Sequence, residues 1–334
     1  MKPFYFSVIV PVYNRPDEMQ EFLESLAQST FAKPFEVVIV EDGSSIPCKH
    51  VAESYSSKLQ ISYYFKPNSG PGDSRNFGME KAVGDYFLIF DSDCLIPKEY
   101  LSIVDTELEK NYVDCFGGPD AAHPSFSDIQ KAINFAMTSI MTTGGIRGGS
   151  ETVDKFQPRS FNMGLSRKAF ESSGGFGDIH PGEDPDLSIR LWEMGFKTRL
   201  FSRAYVFHKR RIDWNKFYKQ VNKFGKARPI LDSWYPKYAK LTFFAPTVFV
   251  LGAILAVLLA FFGIWHFVFA YVFYFAFAFI LSASQNNLKI GAYSIVAIAI
   301  QFYGYGVGFL KSFVNVRLLK RKPQTVFPEL FFKK

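Results

Sequence analysis

Asp91 and Asp93 stand one residue apart at the end of Gly84-Asp85-Tyr86-Phe87-Leu88-Ile89-Phe90-Asp91-Ser92-Asp93. Tyr86 to Phe90 is an unbroken apolar run of strand length, which suits a strand buried on both faces. In open α/β sheets, ligands bind where the carboxyl ends of strands point. Two carboxylates at such an edge repel each other unless a cation lies between them. A hard divalent ion with oxygen ligands, arriving with substrate phosphates, is the natural partner. The plainer alternative makes Asp91 a turn former and Asp93 the cap of the next helix.

A carboxylate pair does chemistry only if other loops reach the same edge. Ser7-Val8-Ile9-Val10-Pro11-Val12-Tyr13-Asn14-Arg15 reads as a β-branched strand ending in a loop. Pro16-Asp17-Glu18 then opens a helix with Met19, Phe22, Leu23 and Leu26 at helical spacing. Phe35 to Val40 is a second strand, ending at Glu41-Asp42-Gly43-Ser44-Ser45, and Ile61 to Phe65 is a third. After the turn-rich Asn68 to Gly72, Asp73 to Val83 is a helix leading back to the Asp91 strand. Strands alternating with helices predict an α/β chain with a mostly parallel, doubly wound sheet. Three loops then share one edge: Pro11 to Arg15, Glu41 to Ser45, and Asp91 to Asp93. No Gly-x-Gly-x-x-Gly follows the first strand and no P-loop signature occurs, which argues against a nicotinamide or P-loop site.

Four stretches, in this order, carry a family resemblance: Ser7 to Arg15, Val38 to Ser45, Gly72-Asp73-Ser74-Arg75-Asn76-Phe77-Gly78, and Asp91-Ser92-Asp93. With Gly174-Gly175-Phe176 and Gly182-Glu183-Asp184-Pro185-Asp186-Leu187, they resemble family 2 glycosyltransferases of the GT-A fold, over about the first two thirds of the chain. The resemblance implies a Rossmann-like mixed, mostly parallel sheet with helices on both faces. It also implies roles. Asp42 would hydrogen-bond the nucleotide base, with Pro11 and Tyr13 as the wall against it and Arg15 beside them on the donor. Asp91 and Ser92 would lie at the donor, Asp91 also at the metal. Asp93 would hold Mg²⁺ or Mn²⁺ on the diphosphate, and Arg75 would face the phosphates. Asp184 would be the general base, with Glu183 as second choice, and His208 could join the metal. The chemistry is coherent, because a leaving diphosphate needs its charge neutralised in a dry site. Pro185 at the first helical position would make Asp184 an N-cap, well placed to take a proton from an acceptor hydroxyl. The structural alternatives are a turn former for Asp42, a surface charge for Arg75 and a solvated ring for His208.

The division expected is 1–115 for the nucleotide-sugar half and 116–212 for the acceptor half. A basic amphipathic juxtamembrane segment follows at 213–240, with Trp214 to Lys226 as its helix, then transmembrane helices at 241–265, 267–284 and 290–310 and a basic tail at 311–334. Ile129 to Met141 reads as an amphipathic helix, in a core or on a bilayer surface. Thr142 to Ser150, with four glycines and Arg147, reads as a flap over substrate or an ordinary loop. Phe196 to Phe207 reads as a hairpin or strand pair ending at His208. Gln220-Val221-Asn222-Lys223-Phe224 stands near where processive members of the superfamily carry Gln-x-x-Arg-Trp. Lys and Phe replace Arg and Trp, which argues against processive synthesis. Gln220, Lys223 and Arg228 remain candidate acceptor or phosphate contacts.

Phenylalanine is enriched in the last third, with 18 of the 38, and the net charge is +7, with basic residues clustered in two blocks flanking the apolar region. That arrangement suits anionic phospholipid headgroups rather than nucleic acid. Cys48, Cys94 and Cys115 show no pairing or metal spacing, which fits free thiols and a cytoplasmic catalytic domain. Phe4 to Val12 runs straight into a strand, so no signal peptide is read. A bilayer crossing needs about 20 apolar residues, and the first two segments qualify as a tight hairpin. The third raises a conflict: Lys237 and Lys240 before it and Lys311 to Lys322 after it all favour the inner side, while three crossings would separate them. Either the third segment is re-entrant or interfacial, or the basic tail departs from the usual bias; three membrane-associated helices are expected. The expectation is a multi-pass, membrane-anchored inverting glycosyltransferase. It would move one sugar from a nucleotide-diphosphate sugar, uridine diphosphate favoured, to a polyprenyl-linked glycan, polyprenyl phosphate or glycolipid. The alternatives are a processive polysaccharide synthase and an inactive membrane scaffold or sensor.

Overall fold

A computed structural model describes residues 4–121, 123–143, 155–209 and 213–332. The strands are β1 (Phe6–Val12), β2 (Phe35–Asp42), β3 (Gln60–Lys66), β4 (Tyr86–Phe90), β5 (Cys94–Leu95), β6 (Cys115–Gly117), β7 (Asp120–Ala121), β8 (Asn162–Ser166), β9 (Thr198–Leu200) and β10 (Val206–His208). The apolar runs of β1, β2 and β4 form strands because successive side chains enter two different cores. In β4, Tyr86, Leu88 and Phe90 join one core with Phe6, Val8 and Phe22. Phe87 and Ile89 join the other with Ile9, Val38 and Met79. The main sheet has the order β3-β2-β1-β4-β8-β6-β9, and every neighbouring pair is parallel except those made by β8. This is the mixed, mostly parallel sheet expected. A second sheet, β5-β10-β7, stands apart.

The helices are α1 (Pro16–Leu26), α2 (Lys49–Ser54), α3 (Pro71–Lys81), α4 (Tyr100–Lys110), α5 (Asp128–Thr138), α6 (Ile140–Thr143), α7 (Arg167–Ser173), α8 (Glu183–Glu193), α9 (Trp214–Trp234), α10 (Ala245–Ala260), α11 (His266–Gln285), α12 (Leu288–Ser312) and α13 (Pro323–Val326). α1 buries Met19, Phe22, Leu23 and Leu26, as its periodicity predicts. α3 lies so close to the sheet that a Cβ on Gly78 would stand 2.7 Å from Ile9 Cγ2.

Three local expectations are corrected. Phe196 to Phe207 does give two strands, the second ending at His208, but they form no hairpin: β9 pairs with β6, whereas β10 pairs with β5 and β7. Between them Phe201 is buried and stacks on Phe116, 4.4 Å between centroids, which pins the connection inside. The N-cap of α8 is Gly182, at φ 129°, a conformation glycine adopts readily, so Asp184 sits inside the first turn. α9 continues eight residues beyond Lys226, through Pro229.

The chain forms two compact units. The first comprises residues 4–121, 155–208 and 331–332 and contains both sheets. The second comprises 123–143, 209 and 213–330. In the second, Ile133, Ala136 and Met137 of α5 share a core with Phe217 and Val221 of α9 and Ile298 and Phe302 of α12, so α5 is a core helix. Among the described residues, three helices are long and apolar enough to cross a membrane: Leu241–Ala260, His266–Gln285 and Leu288–Leu318. The third is longer than the expected 290–310. The glycine-rich loop expected at 142–150 lies outside the described residues from 144 onward.

Candidate active site

β4 delivers Asp91 to the sheet edge, and α3 delivers Arg75 to meet it at 2.6 Å. The same guanidinium reaches Glu183 Oε1 at 3.2 Å, on the first turn of α8. Arg75 is nearly fully buried, with its side chain 3% exposed. Burial works against its charge, and Asp91, Glu183 and Asp184 outweigh that penalty. One arginine therefore ties the Asp-x-Asp loop to the Glu-Asp helix. Facing phosphates was the expectation for Arg75. With two of its nitrogens on carboxylates and almost no exposure, it acts here as an internal strut.

Glu183 is also bonded by His180 Nδ1 at 2.8 Å. Burial alone would raise its pKa, but His180 and Arg75 outweigh that and hold it well below the usual carboxylate range. Asp184 goes the other way. Enclosure and then the charge of Glu183 push it up to about 6, against smaller opposing effects of Arg75, Arg159 and a bond to Ser160. Asp184 Oδ1 and Glu183 Oε2 are buried with no hydrogen bond among the described residues. Two adjacent carboxyls thus differ in protonation, one locked as an anion and one poised near neutrality.

Asp93 is 3.2 Å from Arg15 Nη1 and 3.1 Å from His208 Nε2. The β10–β5 register sets this, since His208 pairs with Cys94. The His208 ring stacks on Phe161 at 4.5 Å, and its Nδ1 is buried without a hydrogen bond among the described residues. Ligand-type atoms of Asp93, Cys94 and His208 all lie within 4.8 Å of one another. Burial, then Asp93 and Asp91, push the Cys94 thiol well above its usual range, and it donates to Phe161 O at 3.4 Å. A protonated thiol is no ligand for a hard cation, whereas a carboxylate oxygen is one and a neutral imidazole nitrogen can complete the set for a transition ion. The donor set at Asp93 and His208 therefore fits a divalent ion, with Asp91 two residues away but turned to Arg75.

Asp42 organises a loop. Its oxygens accept from Lys66 Nζ (2.9 Å), Ser69 N (2.9 Å), Asn68 Nδ2 (3.1 Å) and Gly70 N (3.0 Å). Tyr13 is half exposed at the end of β1, Ser92 is buried, and Pro11 lies in β1 beside Val40. Gln220, Lys223 and Arg228 all lie on α9, in the second unit. There Arg228 pairs with Asp232 at 3.2 Å and sits 3.5 Å over the Phe243 ring.

Sequence reasoning passed over His180, Ser160 and Asn14. Asn14, at φ 55°, accepts from the Ser45 and Ile46 amides and so shapes the second loop. An asparagine after a strand, two residues before a proline, is a turn signal that could have been read. His180, three residues before Glu183, could have been read from its spacing, whereas nothing in the spacing marks Ser160 as a neighbour of the Glu-Asp pair.

Residues 7–174, about half of the chain, match the family described as Glycosyl transferase family 2. The chain belongs to glycosyl transferase family 2. Within the family it is 38% identical over 112 residues to the poly(ribitol-phosphate) β-N-acetylglucosaminyltransferase TarS of Staphylococcus aureus. That match covers 33% of this chain and only 20% of TarS. An uncharacterized glycosyltransferase of Haemophilus influenzae is 36% identical over 111 residues, 32% of this chain and 37% of its own. The fold is shared with the mannosyltransferase PcManGT of Pyrobaculum calidifontis, solved in complex with GDP-Man and Mn²⁺. That likeness has a TM-score of 0.57 at 16% identity, over 96% of this chain and 89% of the other. As a family 2 glycosyltransferase with a GT-A fold, the chain has the architecture its motifs imply.

Proposed function

We propose that this glycosyltransferase moves a single sugar from a nucleotide-diphosphate sugar to a hydroxyl or phosphate of a membrane-held acceptor, with inversion at the anomeric carbon. The observation that carries the reading is the Asp91–Arg75–Glu183 bridge, because it gives the donor loop and the Asp184 helix a common wall. Asp184, enclosed and raised, removes the acceptor proton. The acceptor oxygen then attacks the anomeric carbon from the face opposite the leaving nucleoside diphosphate. Glu183 stays ionised and keeps Asp184 basic enough to work.

Asp93 and His208 would hold a divalent ion, Mg²⁺ or Mn²⁺, with Asp91 as a further oxygen ligand once it leaves Arg75. When bound, that ion offsets the charge developing on the diphosphate. Arg15, on the Asp93 side, is the better candidate for a phosphate contact, since Arg75 is enclosed. Pro11, Tyr13, Ser92 and the Asp42 loop would form the donor cleft. A uridine diphosphate sugar is the favoured donor, supported by the kinship with an N-acetylglucosaminyltransferase. α10 and α11 would anchor the enzyme beside a lipid-linked acceptor, and Gln220, Lys223 and Arg228 would face that acceptor or anionic headgroups. The catalytic unit would be cytoplasmic.

The test is nucleotide release from a panel of nucleotide sugars by the full chain in lipid nanodiscs, with membrane lipid extract as acceptor source. Turnover that needs a divalent ion and is lost in Asp93→Ala is expected. Metal-dependent turnover surviving in Asp93→Ala would remove the metal assignment.

A further inference from the structure

Phe331 and Phe332 follow all three apolar helices in the chain, yet they are built into the first unit. Phe331 forms an antiparallel bridge with Ile179, and the Phe332 amide donates to Asp178 O at 3.3 Å. The Phe332 ring fills the space that a side chain on Gly70 would need. Gly70, Asp178 and Ile179 all precede the helices. Whatever leaves the side of the catalytic unit after residue 208 must return before residue 331. The number of crossings between them is therefore even, and three helices cannot all cross.

α12 is the one to exclude. α9 runs beside it in the same direction over its whole length. Trp214 meets Tyr293 at 6.1 Å, Asn222 Nδ2 donates to Gly304 O at 3.0 Å, and Arg317 donates to Asp232 O at 3.2 Å. Gly225 of α9 lies against the Tyr305 carbonyl, and Gly308 of α12 against that of Asn222, so the backbones touch. α9 has 21 residues and is about 30 Å long, the thickness of the hydrocarbon layer. An α12 at bilayer depth would carry Lys216, Lys219, Lys223, Lys226, Arg228 and Asp232 there too, where charges are costly.

The hairpin has no such companion. α12 lies across its open half: Phe244 and Thr247 by the start of α10 contact Phe309 and Gly306, Ser282 near the end of α11 contacts Ser294, and Phe302 stacks on Phe249 at 4.2 Å and reaches Tyr274 midway along α11. Toward the tip, Leu258, Phe261, Phe262, Phe267 and Phe273 are exposed.

We propose that the chain crosses the membrane twice, through α10 and α11 alone, and that α12 lies with α9 at the membrane surface on the catalytic side. This rests on the membrane reading above. It brings Lys237, Lys240, Lys311, Arg317 and Lys322 to one face, as the bias of basic residues toward one side requires, and points them at anionic headgroups.

Sidedness of labelling tests it. Single cysteines replace Val83, Phe262 or Lys322, all exposed, in the full chain in sealed membrane vesicles. Native Cys48, Cys94 and Cys115 are buried and give low background. A membrane-impermeant maleimide is expected to label Val83→Cys and Lys322→Cys from one side and Phe262→Cys only from the other. Lys322→Cys reacting only from the Phe262 side overturns the two-crossing topology and leaves the membrane reading standing. Phe262→Cys reacting from the Val83 side overturns both.

Discussion

Arg75 satisfies two carboxylates from two elements, and this makes it the residue whose loss spreads furthest. Removing one partner of a buried ion pair strands the other, at a cost of about 3–5 kcal/mol. Arg75→Ala should lower stability by that order, read as a lower unfolding midpoint in detergent. Glu183→Gln in the same background should recover part of the loss, because one stranded buried anion fewer remains. Asp184 makes a sharper prediction. Its carboxyl is raised to about 6 by enclosure and by Glu183, and the base must be deprotonated to act. The transfer rate should be level above that value and fall about tenfold per pH unit below it. Asp184→Asn should lower kcat by roughly 10²–10⁴-fold with donor binding intact. Full transfer activity in that variant would remove the base from Asp184. The charges of Asp184 and Glu183 could not be ranked from their spacing, because adjacent residues share a sequence environment and only their neighbours differ.

Elements position these residues through close approach. α3 carries Arg75, and Gly78, one turn along, lets the helix settle against Ile9 and Val40. Gly78→Ala would place a methyl 2.7 Å from Ile9 Cγ2, inside contact distance. Overpacking of this kind costs about 1–3 kcal/mol, and the shift of α3 should also slow turnover by loosening the Asp91–Arg75 contact. Thermal unfolding and kcat measured together check both effects. β1, β2 and β4 are legible in the sequence because burial on both faces keeps their central residues apolar: Val8 to Val10, Val37 to Val40 and Tyr86 to Phe90. β5, β7 and β10, of two or three residues each, carry no periodic signal. They exist because they pair with one another, and their register is what sets His208 against Asp93.

At the scale of the whole molecule, an α/β unit is followed by a helical unit in which α10 and α11 expose large apolar side chains. Phe273, on α11, is 75% exposed. Phe273→Arg should disfavour insertion by about 2.5–3.5 kcal/mol and shift the protein from the membrane to the soluble fraction after carbonate extraction. A comparable charge in place of Tyr303, on α12, should shift it far less, since the two-crossing arrangement keeps that helix out of the hydrocarbon.

The sequence by itself determined the family, the buried central strands, the carboxylates at their ends and the three apolar helices. Each of these is a property of residues close together in the chain, where periodicity and composition are read directly. Tertiary structure alone decided that Arg75 braces two carboxylates, that His208 meets Asp93 and that charged α9 shadows α12. Hydropathy measures what a segment is made of, and a segment's depth in a membrane depends also on what is packed beside it.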